Sequence, residues 1–327
     1  MTIPAGTEVR REMEATVRER ARHTTSDKVG DTRSFANMEQ TLTREYWGRF
    51  LIELLQNARD AWLASSPDGR DGLLRIRLTG SPALVVCNEG SPLTPDVVLH
   101  SISKFGESSK RPGEGIGHKG IGFKAVLELT HAPRIYSRVD SGGLFDLSVR
   151  FDPLEARRLI MQESPAWADL VASLPSAAAD EGRGERIPIL RYPLWDDAPP
   201  EWLDRAARID GRGFNTVIGL PYDERFDQAL GLDRDDFVRR VRASFLDVSD
   251  EVVLLLGVFG HVIIEDELAG TSVEITRSER ALASGDSQLR VHEVTIDRDA
   301  TRSSMWLLFE RSLPGFDGLE RVAQSRR

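Results

Sequence analysis

The sequence predicts an α+β protein of two domains, and three observations support this prediction. The chain has 327 residues, which suits two domains of roughly 100–200 residues each. Apolar residues recur at three- and four-residue steps from Asn37 to Ala64, and short apolar strands then alternate with helices. The pattern changes near 225–232, after which strand-like segments dominate. We therefore expect a mixed domain of helices and strands followed by a smaller, β-rich α/β domain.

The composition excludes several kinds of partner and indicates the cellular compartment. With 43 basic and 52 acidic residues the net charge is −9, so no chain-wide basic surface indicates nucleic acid or an anionic membrane as a partner. The single cysteine, Cys87, excludes an internal disulfide framework and a cysteine-rich zinc site, and it fits a reducing compartment. Residues 1–35 lack a secretory-signal pattern, and the longest apolar run, Val252 to Ile264, is too short to span a membrane. We expect a cytoplasmic protein.

The first half of the sequence alternates between helices, strands and loops. The motif Thr94-Pro95 supplies a helix cap and a first-turn proline, and the turn residues after Ala64 end the long helix before it. The elements predicted up to residue 150 are a polar arm over 1–35 with one short helix near 8–22, a helix over 37–64, strands over 73–78 and 84–87, a helix from Thr94 to about Ser103, a loop over 104–122, a helix over 123–129, and strands over 134–139 and 144–150.

The second half is predicted in the same way. The run from Val252 to Ile264 is interrupted by glycines and predicts two buried strands around a turn. The predicted elements are a helix over 154–173, a flexible insert over 176–186, a strand over 216–220, a helix over 234–246, and strands near 251–256, 261–265, 271–276, 289–296 and 303–310. The predicted division of the chain is an arm over 1–35, a first domain over 36–225 and a smaller domain over 226–327.

The helix over 37–64 carries three polar residues on one side. Glu53, Asn57 and Asp60 lie at i, i+4 and i+7, which at about 100° per residue spans roughly 60° of the helix surface. The apolar stripe lies beside them. Two carboxylates and an amide therefore lie at the edge of the buried face, where they can converge on a cavity. Solvated acidic residues on exposed helix faces are common, so this trio predicts a site only together with other motifs.

Two strand motifs place polar residues at turns. The segment VVCNEGSPL, residues 85–93, delivers Asn88 and Gly90 to the end of an apolar strand. A polar side chain there, followed by glycine, can bind a ligand that the backbone approaches closely. The segment GFNTVIGLPY, residues 213–222, leads Thr216 into another apolar strand and is uninformative by itself.

The segment EGIGHKGIGFKAVLEL, residues 114–129, predicts an anion-binding loop. Its glycines allow successive backbone N–H groups to curl around an anion, and the following helix N-terminus adds partial positive charge. The spacing fits neither GxxxxGK[ST] nor a strand-led GxGxxG, so the Walker and Rossmann interpretations fail. The glycines are Gly115, Gly117, Gly120 and Gly122, and the helix starts near Phe123.

Lysine is rare in this chain and is concentrated around that loop. Four of the five lysines fall between residues 104 and 124, and arginine supplies the other basic residues. Positions that keep lysine are candidates for a compact ammonium rather than a planar fork. Lys110 and Lys119 would supply the mobile positive charge that a phosphate-binding loop uses. The alternative is chance clustering on a solvated loop.

The order and spacing of these motifs resemble the GHKL, or Bergerat-fold, ATPase superfamily. The pattern is E-x-x-x-N-x-x-D-A on a helix, then N-x-G, then G-x-x-G-x-G-F, then a late strand with a threonine. The superfamily includes DNA gyrase B subunits, heat-shock chaperones, sensor histidine kinases and MutL, and IGHKGIGFKAV and CNEG look most like the sacsin and NO VEIN class. The resemblance implies a two-layer α/β sandwich over 36–225, with a mixed sheet covered by helices, and an accessory or transducer-like domain over 226–327.

The resemblance also implies roles at the phosphate end of a nucleotide. Glu53 would be the general base that orients the attacking water, Asn57 the Mg²⁺ ligand, and Asp60 a nearby polar contact. Backbone from the glycine box would wrap the phosphates, and two lysines would touch them. These residues are Gly117, Gly120, Gly122 and Phe123, with Lys110 and Lys119.

At the base end, Asn88 and Gly90 match the N-x-G motif, Thr216 would help to hold the adenine, and Leu93 would form an apolar wall against it. Most relatives have aspartate at the position of Asn88, where the carboxylate accepts a hydrogen bond from the adenine amino group. Asparagine can also accept through its carbonyl oxygen, but it must be oriented correctly and carries no charge.

Two functions stay open from the sequence. One is Mg²⁺-dependent ATP binding with slow hydrolysis, with the 104–122 loop as a nucleotide-gated lid. The other is a non-hydrolysing ATP-binding switch that only creates a protein-interaction surface. Glu53 favours hydrolysis, because a pure binder does not need a carboxylate there. We expect ATP or ADP as the ligand, Mg²⁺ as the cofactor, a chaperone-like relation to a protein partner or client, and a nucleotide-dependent homodimer as a candidate assembly.

The subclasses of the superfamily fit the chain unequally. A histidine kinase is disfavoured because only His23 precedes the long helix, in a short polar arm. Residues 226–327 are too few for the middle and dimerisation domains of a general chaperone. A gyrase-like transducer would have to send an arginine to the γ-phosphate, since no lysine follows Lys124.

Overall fold

The computed structural model describes most of the chain. The described residues are 5–24, 29–65, 71–103, 122–140, 143–173, 187–209, 212–227, 231–282, 289–299, 301–312 and 319–326. The predicted loop over 104–122, except for Gly122, and the predicted insert over 176–186 lie outside these residues.

The helices include α, 3₁₀ and π forms. The α-helices are α1 (Ala5–Arg22), α2 (Val29–Glu45), α3 (Phe50–Ser65), α4 (Pro153–Glu163), α5 (Pro165–Ser173), α6 (Trp202–Ala206), α7 (Glu224–Asp227), α8 (Arg234–Leu246) and α9 (Asp250–Leu256). A π-helical turn covers Val97–Ile102, and 3₁₀ helices cover Gly122–Glu128 and Ile189–Arg191. Within the described ranges, no helix has both the length and the apolar character that crossing a membrane requires.

The strands form one large mixed sheet and one small hairpin. They are β1 (Gly72–Leu78), β2 (Ala83–Asn88), β3 (Arg134–Ser137), β4 (Leu147–Arg150), β5 (Leu194–Trp195), β6 (Arg208–Ile209), β7 (Arg212–Gly213), β8 (Thr216–Pro221), β9 (Phe259–Asp266), β10 (Thr271–Leu282), β11 (Leu289–Arg298), β12 (Arg302–Ser312) and β13 (Leu319–Arg326). The described part of the large sheet has the order β13-β12-β11-β10-β9-β1-β2-β8-β3-β4-β5, and β6 pairs with β7. The predicted fold class, a mixed sheet flanked by helices, is confirmed.

The two faces of the large sheet have separate cores. Successive side chains of a strand point to opposite faces. Leu74 and Val86 therefore lie in the core that contains Leu54 of α3, whereas Leu73 and Val85 lie on the other face. Helices α1, α3, α8 and α9 contribute to the first core, and the second core is completed by residues from α6 to β8. Representative buried side chains are Met13, Leu55, Phe237 and Val253 for the first core, and Trp202, Phe214 and Val217 for the second.

Two predicted helices are each divided in two. The predicted helix over 37–64 is α2 and α3, because Gly48 has a φ of +77°, a left-handed conformation that ends a helical path. The predicted helix over 154–173 is α4 and α5. Ser164 between them is extended, with φ −124° and ψ 96°, since the residue before a proline is excluded from the helical region.

The predicted strand over 251–256 is wrong, because these residues form α9. Ser249 caps the helix by accepting a hydrogen bond from the Val252 N–H at 3.4 Å, and Gly257, with a φ of +66°, ends it. The run from Val252 to Ile264 is therefore a helix and then a strand, not two strands. Apolar content alone does not separate short buried helices from buried strands.

The strands after residue 258 extend the same sheet. β9 pairs in parallel with β1, and β10 to β13 add antiparallel strands one after another. β13 has no counterpart among the predicted strands, because LERVAQSR shows no apolar alternation.

The predicted boundary near 225–232 falls between β8 and α8, and the division into domains stays a prediction. At the other end of the chain, the helix predicted near 8–22 is α1, and its side with Met13, Val17 and Ala21 is buried.

Candidate functional site

Helix α3 presents its three polar residues at the edge of its buried face, as their spacing predicts. Glu53 and Asp60 are 7% and 9% exposed, and Asn57 is half-buried. On the same helix, Leu54 and Leu55 pack into the core. Buried carboxylates are rare in proteins unless they are paired or have a function. Asp60 lies 3.6 Å from the Arg59 guanidinium.

The Glu53 carboxylate is held in a weakly solvated position. Burial raises the pKa of Glu53, and the guanidinium of Arg49, 3.5 Å from its Oε1 atom, lowers it to a smaller extent. A carboxylate whose pKa is raised towards neutrality is a better proton acceptor than an ordinary solvated one.

Gly122 lies directly against that carboxylate. A Cβ atom at this position would overlap Oε2 of Glu53, so only glycine brings the start of this 3₁₀ helix so close. Phe123, the next residue, is buried in the core and anchors the helix. The helix predicted over 123–129 is thus present in 3₁₀ form, and its first residue faces Glu53.

Gly90 makes the corresponding contact near the other end of α3. Its φ is +129°, and a Cβ atom there would lie 2.8 Å from the backbone of Ala61 and Trp62. The next residue, Ser91, donates its N–H to the Ala61 carbonyl at 2.9 Å. Glu53 and Ala61 are eight residues apart, or about 12 Å along the helix axis. Asn57 and Asp60 lie between these two glycine contacts.

Three polar side chains lie side by side where the central strands end. In the sheet register, Asn88 of β2 is opposite Thr216 of β8, and Thr216 is opposite Ser137 of β3. All three are at most 3% exposed, and the Ser137 and Thr216 hydroxyls are 3.3 Å apart. Two positions further into the sheet in the same register, Val86, Ile218 and Ile135 fill the core beneath α3. The polar trio therefore replaces the apolar layer at the edge of the sheet nearest Gly90.

The orientation of the Asn88 side chain is fixed by its neighbour. Its Nδ2 atom donates to the Glu89 carbonyl at 2.9 Å. A carbonyl oxygen cannot donate to another carbonyl, so this bond determines which end of the amide is the nitrogen. Oδ1 of Asn88 is therefore the acceptor end of this amide.

Residues of the surrounding loops hold this end in place. Leu93 is half-buried against the core and donates its N–H to Oγ of Ser137 at 2.8 Å. The Asn215 side chain accepts from the Gly90 N–H at 3.2 Å and donates to the Val139 carbonyl at 3.0 Å. Sequence reasoning missed Ser137 and Asn215. Asn215 precedes Thr216 directly, but only the sheet register brings Ser137 beside it.

The structure thus brings eight of the predicted site residues to α3 and to the strand ends beside it. These are Glu53, Asn57, Asp60, Asn88, Gly90, Leu93, Gly122 and Thr216, with Phe123 anchored in the core. Lys110, Gly117, Lys119 and Gly120 lie outside the described residues, so their roles stay predictions.

Comparison with known proteins gives partial similarities. No protein-family model matches the chain. Over 102 residues the chain is 32% identical to Protein NO VEIN of Arabidopsis thaliana. The aligned region is 30% of this chain and only 4% of that protein. The crystal structure of the B-subunit of DNA gyrase from Myxococcus xanthus aligns with a TM-score of 0.38 at 12% identity, over 76% of this chain and 61% of that chain. The NO VEIN similarity agrees, over part of the chain, with the resemblance of the motifs.

Proposed function

We propose that the chain binds ATP with Mg²⁺ along α3 and hydrolyses it slowly, with Glu53 as the general base. The supporting observation is that one helix connects a buried, oriented polar trio at the sheet edge to a buried carboxylate packed against a glycine backbone. The base would lie at the Asn88 end and the phosphates at the Gly122 end. ADP would bind in the same way.

The donor groups fit such a ligand. Oδ1 of Asn88 can accept from an adenine amino group, and the Thr216 hydroxyl can donate to a ring nitrogen. The Ser137 hydroxyl donates to the Asn215 carbonyl at 3.2 Å and lies 3.3 Å from the Thr216 hydroxyl, which it holds in place. At the other end, the half-buried amide of Asn57 offers the oxygen donor that Mg²⁺ prefers. Asn57 would hold the Mg²⁺ ion, which when bound would neutralise phosphate charge. Glu53 would accept a proton from the attacking water.

The loop assignments belong to this proposal. Backbone of Gly117, Gly120 and Gly122 would wrap the phosphates, Lys110 and Lys119 would contact them, and residues 104–121 would close over the nucleotide. Closure would create a surface for a protein partner or for a second copy of the chain. A cytoplasmic location fits an ATP-dependent protein of this kind.

A second candidate is a non-hydrolysing ATP-binding switch. The contact between Arg49 and the Glu53 carboxylate favours it, because a carboxylate beside a guanidinium is a weaker base. Phosphate release distinguishes the two candidates, since both bind ATP and only one produces phosphate and ADP.

The test is calorimetric titration of ATP with and without Mg²⁺, followed by a phosphate-release assay. Asn57→Ala should weaken Mg²⁺–ATP binding by roughly tenfold or more and affect metal-free ATP much less. Gln56→Ala is the matched control, because it removes a half-buried amide one residue away on a different side of α3. Equal losses with and without metal would remove Asn57 from the metal site. No ATP binding by the parent protein would end the proposal.

A further inference from the structure

Lys124 is a buried lysine immediately beyond the glycine box. It is 1% exposed and follows Gly122 by two residues. Its Nζ atom donates to the Ile102 carbonyl at 3.4 Å. Ile102 precedes residues 104–121 in the sequence and Gly122 follows them, so Lys124 connects the two described segments on either side. A buried ammonium is costly unless polar groups surround it.

Glu39 of α2 provides the opposite charge. It is 5% exposed, and its carboxylate accepts hydrogen bonds from the N–H groups of Ile189 at 2.7 Å and Leu190 at 3.0 Å. Electrostatic attraction between Lys124 and Glu39 partly offsets the burial of both groups. One helical turn further along α2, the Thr43 hydroxyl donates to the Glu39 carbonyl at 2.8 Å and also lies 3.5 Å from the Lys124 carbonyl oxygen.

Helix α1 holds the same segments from a second direction. The Arg20 guanidinium donates to the carbonyls of Leu99 at 2.5 Å and Arg191 at 3.0 Å. The π-helical turn Val97–Ile102 and the 3₁₀ helix Ile189–Arg191 are therefore each fixed twice, by Arg20 and by the Lys124–Glu39 pair. Arg20 of α1 and Glu39 of α2 therefore help to hold the segments around the candidate site.

We propose that Lys124 is a positioning residue of the candidate site. Together with Glu39 it fixes the 3₁₀ helix against α2 and thereby keeps the Gly122 backbone beside the Glu53 carboxylate. The proposal rests on the proposed function of that site. Buried ion pairs add little net stability compared with apolar side chains of the same size, whereas an ammonium bound to specific oxygens sets the position of the backbone that carries it. Stability alone therefore does not account for this pair.

The test compares three variants. Lys124→Met keeps the length of the side chain and removes its charge, and Glu39→Gln keeps its size and removes the opposite charge. Arg77→Met is the matched control, because Arg77 is also a buried cation, paired with Glu265 and Glu267 on the sheet face away from α3. Each variant is measured by ATP calorimetry and by amide hydrogen exchange of residues 122–128 in the absence of nucleotide.

We expect Lys124→Met and Glu39→Gln each to weaken ATP binding by roughly tenfold. The double variant should lose little more ATP affinity than either single variant, because the effects of substitutions at interacting residues are not additive. Exchange at residues 122–128 should become faster in both. Arg77→Met should lower the unfolding midpoint and leave ATP affinity and this exchange at parental values.

Parental ATP affinity and parental exchange in a folded Lys124→Met protein would overturn the proposal. If Lys124→Met does not fold, Glu39→Gln decides in the same way. An equal loss of ATP affinity in Arg77→Met would also overturn it, because the effect would then be general destabilisation. Should the parent bind no ATP, the proposed function fails by that result, and the exchange measurement still decides whether Lys124 positions the 3₁₀ helix.

Discussion

Helix α3 meets a glycine near each of its ends, and the two contacts differ in kind. At Gly90 the contact is between backbones, because the missing Cβ atom leaves room for the main chain of Ala61 and Trp62. At Gly122 the contact is between a backbone and a carboxylate, since the missing Cβ atom leaves room for Glu53. The first contact fixes a loop rigidly, and the second sets the position of a side chain that can move.

The two ends also differ in charge. The contacts of Gly90 and Ser91 themselves are neutral, with the Asn215 amide bound to the Gly90 N–H and the Ala61 carbonyl bound to Ser91. The neighbouring Glu89 carboxylate is paired with the Arg212 guanidinium at 2.7 Å. Near Gly122 the groups are ionisable, and they include Glu53, Lys124 and Glu39. Under the proposed function, the Gly90 end would recognise the base by shape and hydrogen bonds, and the Gly122 end would bind the charged phosphates and accept a proton. This difference predicts that substitutions and pH act differently at the two ends.

The largest effect is expected at Glu53. Glu53→Ala should retain ATP binding and lower the rate of phosphate release by about 10²–10⁴, the usual contribution of a positioned general base. Asp196→Asn is the control, because Asp196 is also buried but binds Tyr136, whose side chain lies on the sheet face away from α3. Its turnover per folded molecule should match the parent. Parental phosphate release from Glu53→Ala would leave the non-hydrolysing switch as the better proposal.

Alanine substitutions at the two glycines compare the ends directly. Gly90→Ala forces a positive φ on alanine and presses its Cβ atom onto rigid backbone, so it should destabilise folding by about 1–3 kcal/mol or more. Gly122→Ala meets only the flexible end of Glu53. It should therefore leave the unfolding free energy nearly unchanged and lower turnover by displacing the carboxylate. Chemical denaturation and phosphate release measure both. A loss of unfolding free energy in Gly122→Ala, with parental stability in Gly90→Ala, would contradict the view that the Gly90 contact is rigid and the Gly122 contact is flexible.

The charge difference predicts a pH dependence through Glu39. Burial raises its pKa from 4.5 to about 7, opposed by the N–H groups of Ile189 and Leu190 and by Lys124. Because the folded pKa is above the unfolded one, this group stabilises the fold fully below pH 4.5, and that stability is lost as pH rises through 7. The loss is on the order of 3 kcal/mol.

Glu39→Gln should therefore show a smaller fall in unfolding free energy between pH 5 and pH 8 than the parent, measured by denaturant titration at each pH. Burial also raises the pKa of Glu128 to about 7, so part of the fall persists in the variant. Asn215→Ala at the Gly90 end should lower stability by the same amount at every pH. A parental slope in Glu39→Gln would show that burial does not raise the pKa of Glu39 in the folded state.

Local motifs singled out Gly90, Gly122 and the spacing of Glu53, Asn57 and Asp60, because glycine and spacing are visible in the sequence. They did not predict that the two glycines contact α3. The strands that carry Asn88 and Thr216 were also predictable from short apolar runs between turn residues. The sequence did not reveal the partners that come from elsewhere in the chain. Ser137 and Thr216 are 79 residues apart, and only the antiparallel register of β3 and β8 makes them neighbours.

The wrong prediction of a strand over 251–256, where the chain forms α9, has a related cause. Its apolar run is compatible with either periodicity, and the decision rests on the Ser249 cap and the left-handed Gly257. Lys124 was counted with the loop lysines because of its position in the sequence. Its burial follows from packing between the 3₁₀ helix and α2, and nothing in the local pattern of charges distinguishes it from a solvated lysine.

The smallest predicted effect tests the base end. Ser137→Ala and Thr216→Val should each weaken nucleotide binding by about 0.5–1.5 kcal/mol, the usual contribution of one neutral hydrogen bond. The loss should be the same for ATP and ADP, because both share the base and differ only at the phosphates. Ser148→Ala is the control, since its hydroxyl binds the Asp196 carbonyl on the neighbouring strand, and its affinities should match the parent. A loss at Ser137 that is larger for ATP than for ADP would place the phosphates at the sheet edge and reverse the direction of the nucleotide along α3.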